Sequence, residues 1–144
     1  MSEPFLDTNI FLRHLLGDVP EQSRRATAYF RSIEQGVARA RISDIVVFEI
    51  VFTLERGYRR SKVEIQSALL PLLELPGIVL PGKRKFRDVF RVYIDQNISF
   101  ADAYHAVMMR KLALSEVVSF DRDFDRIETV QRVEPDPEGA LGKR

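Results

Sequence analysis

Four acidic side chains stand in contexts that could serve chemistry: Asp7 in FLDTN, Glu49 in IVVFEIVFTL, Asp102 in SFADAYHA and Asp121 in VVSFDRDF. Three of them also have an ordinary duty open to them. Asp7 can accept a backbone N–H as the cap of the helix that follows. Asp121 can open a turn. Asp102 stands three residues after Ser99, and S-x-x-D is a capping box by itself. Glu49 differs, because its helical neighbours Ile45, Val46 and Phe52 are apolar. That stripe predicts a buried carboxylate in need of an ion or partner; the alternative is a rim glutamate reaching an arginine. Were the four to meet, their repulsion would require a cation. Oxygen donors, with no cysteine and no paired histidine, favour Mg2+ or Mn2+ over zinc. An acidic Mg2+ pocket suits phosphodiester hydrolysis, where the ion activates water and shields phosphate charge. His105, one turn past Asp102, could make a D-x-x-H pair, although a rim role is favoured. Asp123 and Asp125 complete DRDFD, and at least one of them reads as solvated loop charge.

The elements that would position these acids alternate in type. Short strands are expected at 4–6, 38–43, 77–80, 116–120 and, more weakly, 129–133. Helices are expected from about 9 to 16, over 21–35 with Ala26, Tyr29, Phe30 and Ile33 on one face, and from Ser43 or Asp44 through IVVFEIVFTLERGY. Another opens at the Ser61–Glu64 capping box and is kinked or shortened by Pro71. KRKFRDVFRVYIDQ and the Ser99-capped ADAYHAVMMRKLAL supply two more. The tail EPDPEGALGKR reads as loose termination, so a single domain over 1–134 is expected, with a tail over 135–144. Strands separated by helices imply parallel crossovers and an α/β fold with helices on both faces of a mostly parallel sheet. Ligands of such sheets gather beyond the carboxyl ends of the strands, where Asp7 and Asp121 fall.

Composition narrows the classes. The chain has 144 residues, 45% of them hydrophobic and 30% charged, enough for one folded domain. Its net charge of +1 gives no global polyelectrolyte signal, so any nucleic-acid surface must come from local clustering. Absence of cysteine excludes a disulfide frame and thiolate chemistry. The longest apolar run contains Glu49 and is too short to span a membrane, and no secretion signal is evident at the N-terminus. A cytoplasmic, reducing location is therefore expected.

FLDTNIFLRHL, the glutamate in the apolar helix after ISD, FADAYHA and VVSFDRDF occur together in the order and spacing of PIN-domain proteins. The chain resembles in particular the VapC-type toxins of toxin–antitoxin pairs, from about Phe5 to Val133. The resemblance implies a three-layer α/β/α sandwich and Mg2+- or Mn2+-dependent endoribonuclease activity. It implies that Asp7, Glu49, Asp102 and Asp121 are the catalytic and metal-holding acids. It further implies that Asn9 and Ser119 support them by hydrogen bonding, and that Asp123 is an auxiliary acid. Its implied partners are an RNA substrate, a cognate small antitoxin and a second copy of the chain in a homodimer, with no membrane. Five basic residues in GKRKFRDVFR (Lys83, Arg84, Lys85, Arg87 and Arg91), with Arg13, Arg24 and Arg25, are candidates for phosphate contact, against the reading of a solvated helix face. Two other readings stay open: a PIN-domain nuclease in RNA processing outside any toxin system, and a non-enzymatic Mg2+-binding regulatory α/β domain.

Overall fold

Parallel pairing is what the computed structural model shows where the amino-terminal strands meet. The structure describes residues 3–143, in two compact units, 1–84 and 85–144. In the first unit Leu6 N–H donates to the Arg41 carbonyl at 2.9 Å, and Arg41 N–H to the Pro4 carbonyl at 2.8 Å, so Phe5 bridges Arg41 in parallel. The residues flanking Arg41 turn their N–H groups the other way. Strand β1 (Ala40–Arg41) therefore pairs in parallel with β2 (Ile78–Val79), Ala40 facing Ile78.

Around these strands lie α1 (Thr8–Leu16), α2 (Pro20–Glu34), α3 (Asp44–Phe52) and α4 (Lys62–Leu73). Gly17 ends α1 in the left-handed region, φ 63°, where a side chain would be strained. Proline at the first position starts α2, since its missing N–H has no intrahelical partner to lose. The capping box of α4 is complete: Glu64 N–H donates to Ser61 Oγ at 3.1 Å and Ser61 N–H to Glu64 Oε1 at 2.9 Å. Pro71 lies inside α4, which stops two residues later. Gly77 is required by space, because a Cβ there would meet Ile33 Cγ2 at 2.8 Å. Phe11, Phe30, Ile33, Val47, Ile50 and Leu69 are buried, with the Phe11 and Phe30 rings 4.9 Å apart.

The second unit opens with α5 (Lys85–Asp95), whose Phe86, Val89, Phe90 and Tyr93 recur at helical spacing and are all buried. Helix α6 (Phe100–Lys111) follows, and the Phe100 ring packs edge-on to Tyr93 at 5.2 Å. Strand β3 (Glu116–Val118) pairs in parallel with β4 (Gln131–Pro135), Val117 facing Arg132. A short 3-10 helix, Arg122–Arg126, lies between them.

Two expectations need correction here. The tail is not loose: β5 (Leu141–Lys143) returns antiparallel to β4. Asp136 makes the turn by accepting the Glu138 and Ala140 N–H groups at 2.9 Å, while Gly139 takes φ 92°. The stripe around Glu49 is buried only at Val46, and Glu49 itself is exposed. Helix α3 buries Val46, Val47, Ile50 and Val51, leaving Ile45 69% and Phe52 64% exposed on the face that carries Glu49. Among the described residues no helix is long and apolar enough to cross a membrane.

Candidate metal centre

Three carboxylates converge in the second unit. Asp102, Asp121 and Asp123 each present an oxygen within 4.8 Å of the others. Separate local structures deliver them. Ser99 caps α6 by accepting the Asp102 N–H at 3.1 Å, which sets Asp102 in the first turn of the helix. Beyond β3, the Ser119 hydroxyl accepts the Asp121 N–H at 2.9 Å, and Asp121 Oδ1 accepts the Asp123 N–H at 2.9 Å. Ala103 and Ala106, fully or nearly buried, keep the inner side of α6 slim.

The crowding shows in the acidities. Partial burial, followed by the hydrogen bond and charge of Asp121, pushes Asp102 up to about 6. Asp121 moves down, chiefly because it accepts the Asp102 hydrogen bond and then the Asp123 N–H. Below about pH 6 the Asp102 carboxyl keeps a proton facing Asp121, and above it the two like charges repel. Three carboxylates at ligand spacing, one of them unable to ionise freely beside its neighbour, form an all-oxygen donor set. That set fits a hard divalent cation, whose charge would offset the repulsion among them.

Asp7 and Glu49 belong to the first unit. Asp7 follows the Phe5–Leu6 extended segment and holds the cap position of α1 with extended backbone, φ −80° and ψ 154°, but its side chain makes no capping bond. Its ordinary duty as a helix cap is therefore not performed. Glu49 is exposed on α3 and accepts the Thr8 hydroxyl at 3.0 Å, which brings its carboxylate against the residue next to Asp7. The desolvation expected for Glu49 fails because the helix turns the opposite face inward. Asn9 is exposed in the first turn of α1 and lines a cleft of about 570 Å³ with Arg13, Arg25 and Tyr29.

The basic candidates separate according to their partners. The Lys83 ammonium donates to the Leu75 and Ile78 carbonyls, both at 2.8 Å, and its acidity is shifted by burial. Lys85 is buried, its ammonium 5.3 Å from the Phe86 ring centre and 5.6 Å from that of Tyr104. Arg13 pairs with Asp18 at 3.1 Å, Arg24 pairs with Glu21, and Arg91 with Asp88 at 3.1 Å. Arg84, Arg25 and Arg87 are exposed. His105 is exposed on α6 and lines a cavity of about 560 Å³ with Asp102, Ser119 and Asp121.

Two residues carry more than their sequence context signals. Thr8 holds Glu49, and nothing in its type points to that. Arg132, with a side chain 2% exposed, bonds Asp125 and Glu134. It lies in β4 beside buried Val133, and no alternation along that strand marks it for burial.

A VapC ribonuclease of Aquifex aeolicus (strain VF5) is 28% identical over 122 residues, covering 85% of this chain and 90% of that protein. A family model described as PIN domain matches residues 5–130, a span that holds both strand ends bearing acids, the glutamate helix and the carboxylate cluster. With that span matched, the chain belongs to the PIN-domain family.

Proposed function

We propose that this protein is a Mg2+- or Mn2+-dependent endoribonuclease that hydrolyses RNA phosphodiester bonds, and that it is the toxin of a VapBC-type pair. The observation that carries the reading is the cluster of Asp102, Asp121 and Asp123, with oxygens within 4.8 Å of one another. The similarity to a VapC ribonuclease supports it. The reading treats residues 1–134 as one PIN domain of three-layer α/β/α type in the cytoplasm, acting as a homodimer that a small antitoxin silences.

In this reading Asp102, Asp121 and Asp123 hold the ion, with Asp7 and Glu49 as further acids of the same reaction. Bound there, the ion supplies an activated water and shields the phosphate. Binding would release a proton from Asp102 only at pH near or below 6, the value to which burial and then Asp121 push its carboxyl. Ser99 and Ser119 keep their acids in place through the backbone bonds already formed. Exposed Arg84 is a candidate phosphate contact in GKRKFRDVFR, where Lys83 is committed to backbone carbonyls and Lys85 is buried. Asn9 supports Asp7.

RNA cleavage by purified protein with Mg2+ or Mn2+ tests the reading, with Asp7→Asn, Glu49→Gln and Asp102→Asn prepared in parallel. Wild type should cleave and Asp102→Asn should not. Equal cleavage by both would mark the activity as a contaminant and end the assignment. The toxin role predicts an adjacent reading frame for a small antitoxin whose product stops cleavage; without one, nuclease activity outside any toxin system is the better description.

A further inference from the structure

The segment 119–125 carries Asp121 and Asp123, and the Arg132 side chain grips it at both ends. Arg132 Nη1 donates to the Ser119 carbonyl at 3.0 Å. Its Nε donates to Asp125 Oδ1 at 3.1 Å. A third bond, from Nη1 to Glu134 Oε2, ties the guanidinium back to its own strand. The backbone at the start of the segment is fixed too, because Ser119 N–H donates to the Val133 carbonyl at 3.0 Å. Arginine suits such a grip, because its planar fork offers several donors in fixed directions from one buried charge. A lysine in its place would keep the charge and lose the fork. Burying a guanidinium is costly unless its donors find partners, and here two carboxylates and a carbonyl take three of its five N–H groups.

We propose that Arg132 is a positioning residue for the acid cluster, a clamp that sets the spacing of Asp121 and Asp123 by holding Ser119 and Asp125. This assigns Asp125 as well: its carboxylate serves the clamp, not the ion. The proposal rests on the reading of Asp102, Asp121 and Asp123 as a metal site.

Two measurements on the full chain test it, using Arg132→Lys and Asp125→Asn. The second variant leaves Arg132 paired with Glu134 and alters a carboxylate that is already partly exposed, so it is the milder change. The first measurement is amide hydrogen exchange without metal. Both variants should exchange faster across 119–125, with α5 and α6 unchanged. The second is Mn2+ titration followed by electron paramagnetic resonance, where affinity should fall about 10–100-fold, the usual cost of losing a group that orients metal ligands. Unchanged exchange across 119–125 overturns the clamp, whatever the titration gives. Faster exchange with unchanged Mn2+ affinity overturns the positioning role. Should the wild type bind no Mn2+, the metal reading falls, and the clamp is judged by the exchange alone.

Discussion

In residues 85–144 the three clustered acids are tied by their own backbones to fixed points, whereas in residues 3–84 Asp7 and Glu49 are held lightly. Asp102 hangs from the Ser99 cap, Asp121 from Ser119, and Asp123 from Asp121, with Arg132 behind the segment. Asp7 makes no capping bond, and Glu49 is exposed with the Thr8 hydroxyl on one oxygen. The difference teaches how to weigh an acid at a helix start. Asp102 is fixed by a cap, its N–H on Ser99 Oγ, while its carboxyl faces Asp121, so a structural bond and a chemical duty coexist in one residue. Asp7 occupies a capping position and does not cap, which leaves its carboxylate available.

The largest effect that would break this comparison concerns the two groups of acids directly. Asp121→Asn should cut kcat/KM for RNA cleavage by on the order of 100-fold or more, since metal charge stabilisation is worth several kcal/mol. Glu49→Gln should cost less, about tenfold, as an acid acting from a lightly held, solvated position. Steady-state cleavage of one RNA by both variants decides it. A Glu49→Gln loss equal to that of Asp121→Asn would place the glutamate on a par with the cluster, and the contrast would disappear.

Much of this frame was legible in the sequence, because its signals are local. The Ser61–Glu64 box and the Ser99 cap each specify a backbone event within four residues, and each occurs as expected. Glu49 was misread for the opposite reason. An apolar run such as IVVFEIVF has no polar face to orient it, so which side of α3 faces inward depends on packing, and Val46, Val47, Ile50 and Val51 took that side. Two lysines of the cationic segment differ for a similar reason: composition counts Lys83 and Lys85 as surface charge, yet one meets carbonyls and the other is buried against aromatic rings. The tail holds a readable turn in Asp136-Pro137-Glu138-Gly139, where proline and glycine form the turn and do not break the chain's order.

A smaller effect sharpens the comparison through two serines with the same capping role. Ser61→Ala and Ser99→Ala each remove an N-cap acceptor, and each should destabilise the fold by about 1 kcal/mol. Chemical denaturation measures that cost. Only Ser99→Ala should also weaken Mn2+ binding, because its N–H partner is Asp102, whereas Ser61 holds Glu64, which is no member of the carboxylate cluster. Weakened Mn2+ binding in both variants would mean that loss of stability alone loosens the site.

The smallest effect is a dependence on pH that belongs to the second unit. Asp102 titrates near 6 in the folded chain, against an ordinary value of 3.8. Between those values the folded chain keeps a proton that the unfolded chain has released, so stability falls as pH rises through the window. The contribution is complete below about 3.8 and lost above about 6. Asp121, shifted down, acts in the opposite sense and only at lower pH. Asparagine at 102 imitates the protonated acid, since its amide can still donate to Asp121. Metal-free wild type and Asp102→Asn should therefore melt alike near pH 4, with the variant melting higher at pH 7.5, by an amount kept modest because the carboxyl is only partly buried. Saturating Mg2+ should reverse the order at pH 7.5, stabilising wild type alone by mass action. A melting difference that does not change with pH would show that Asp102 and Asp121 share no proton, and the crowding that invites a cation would lose its support.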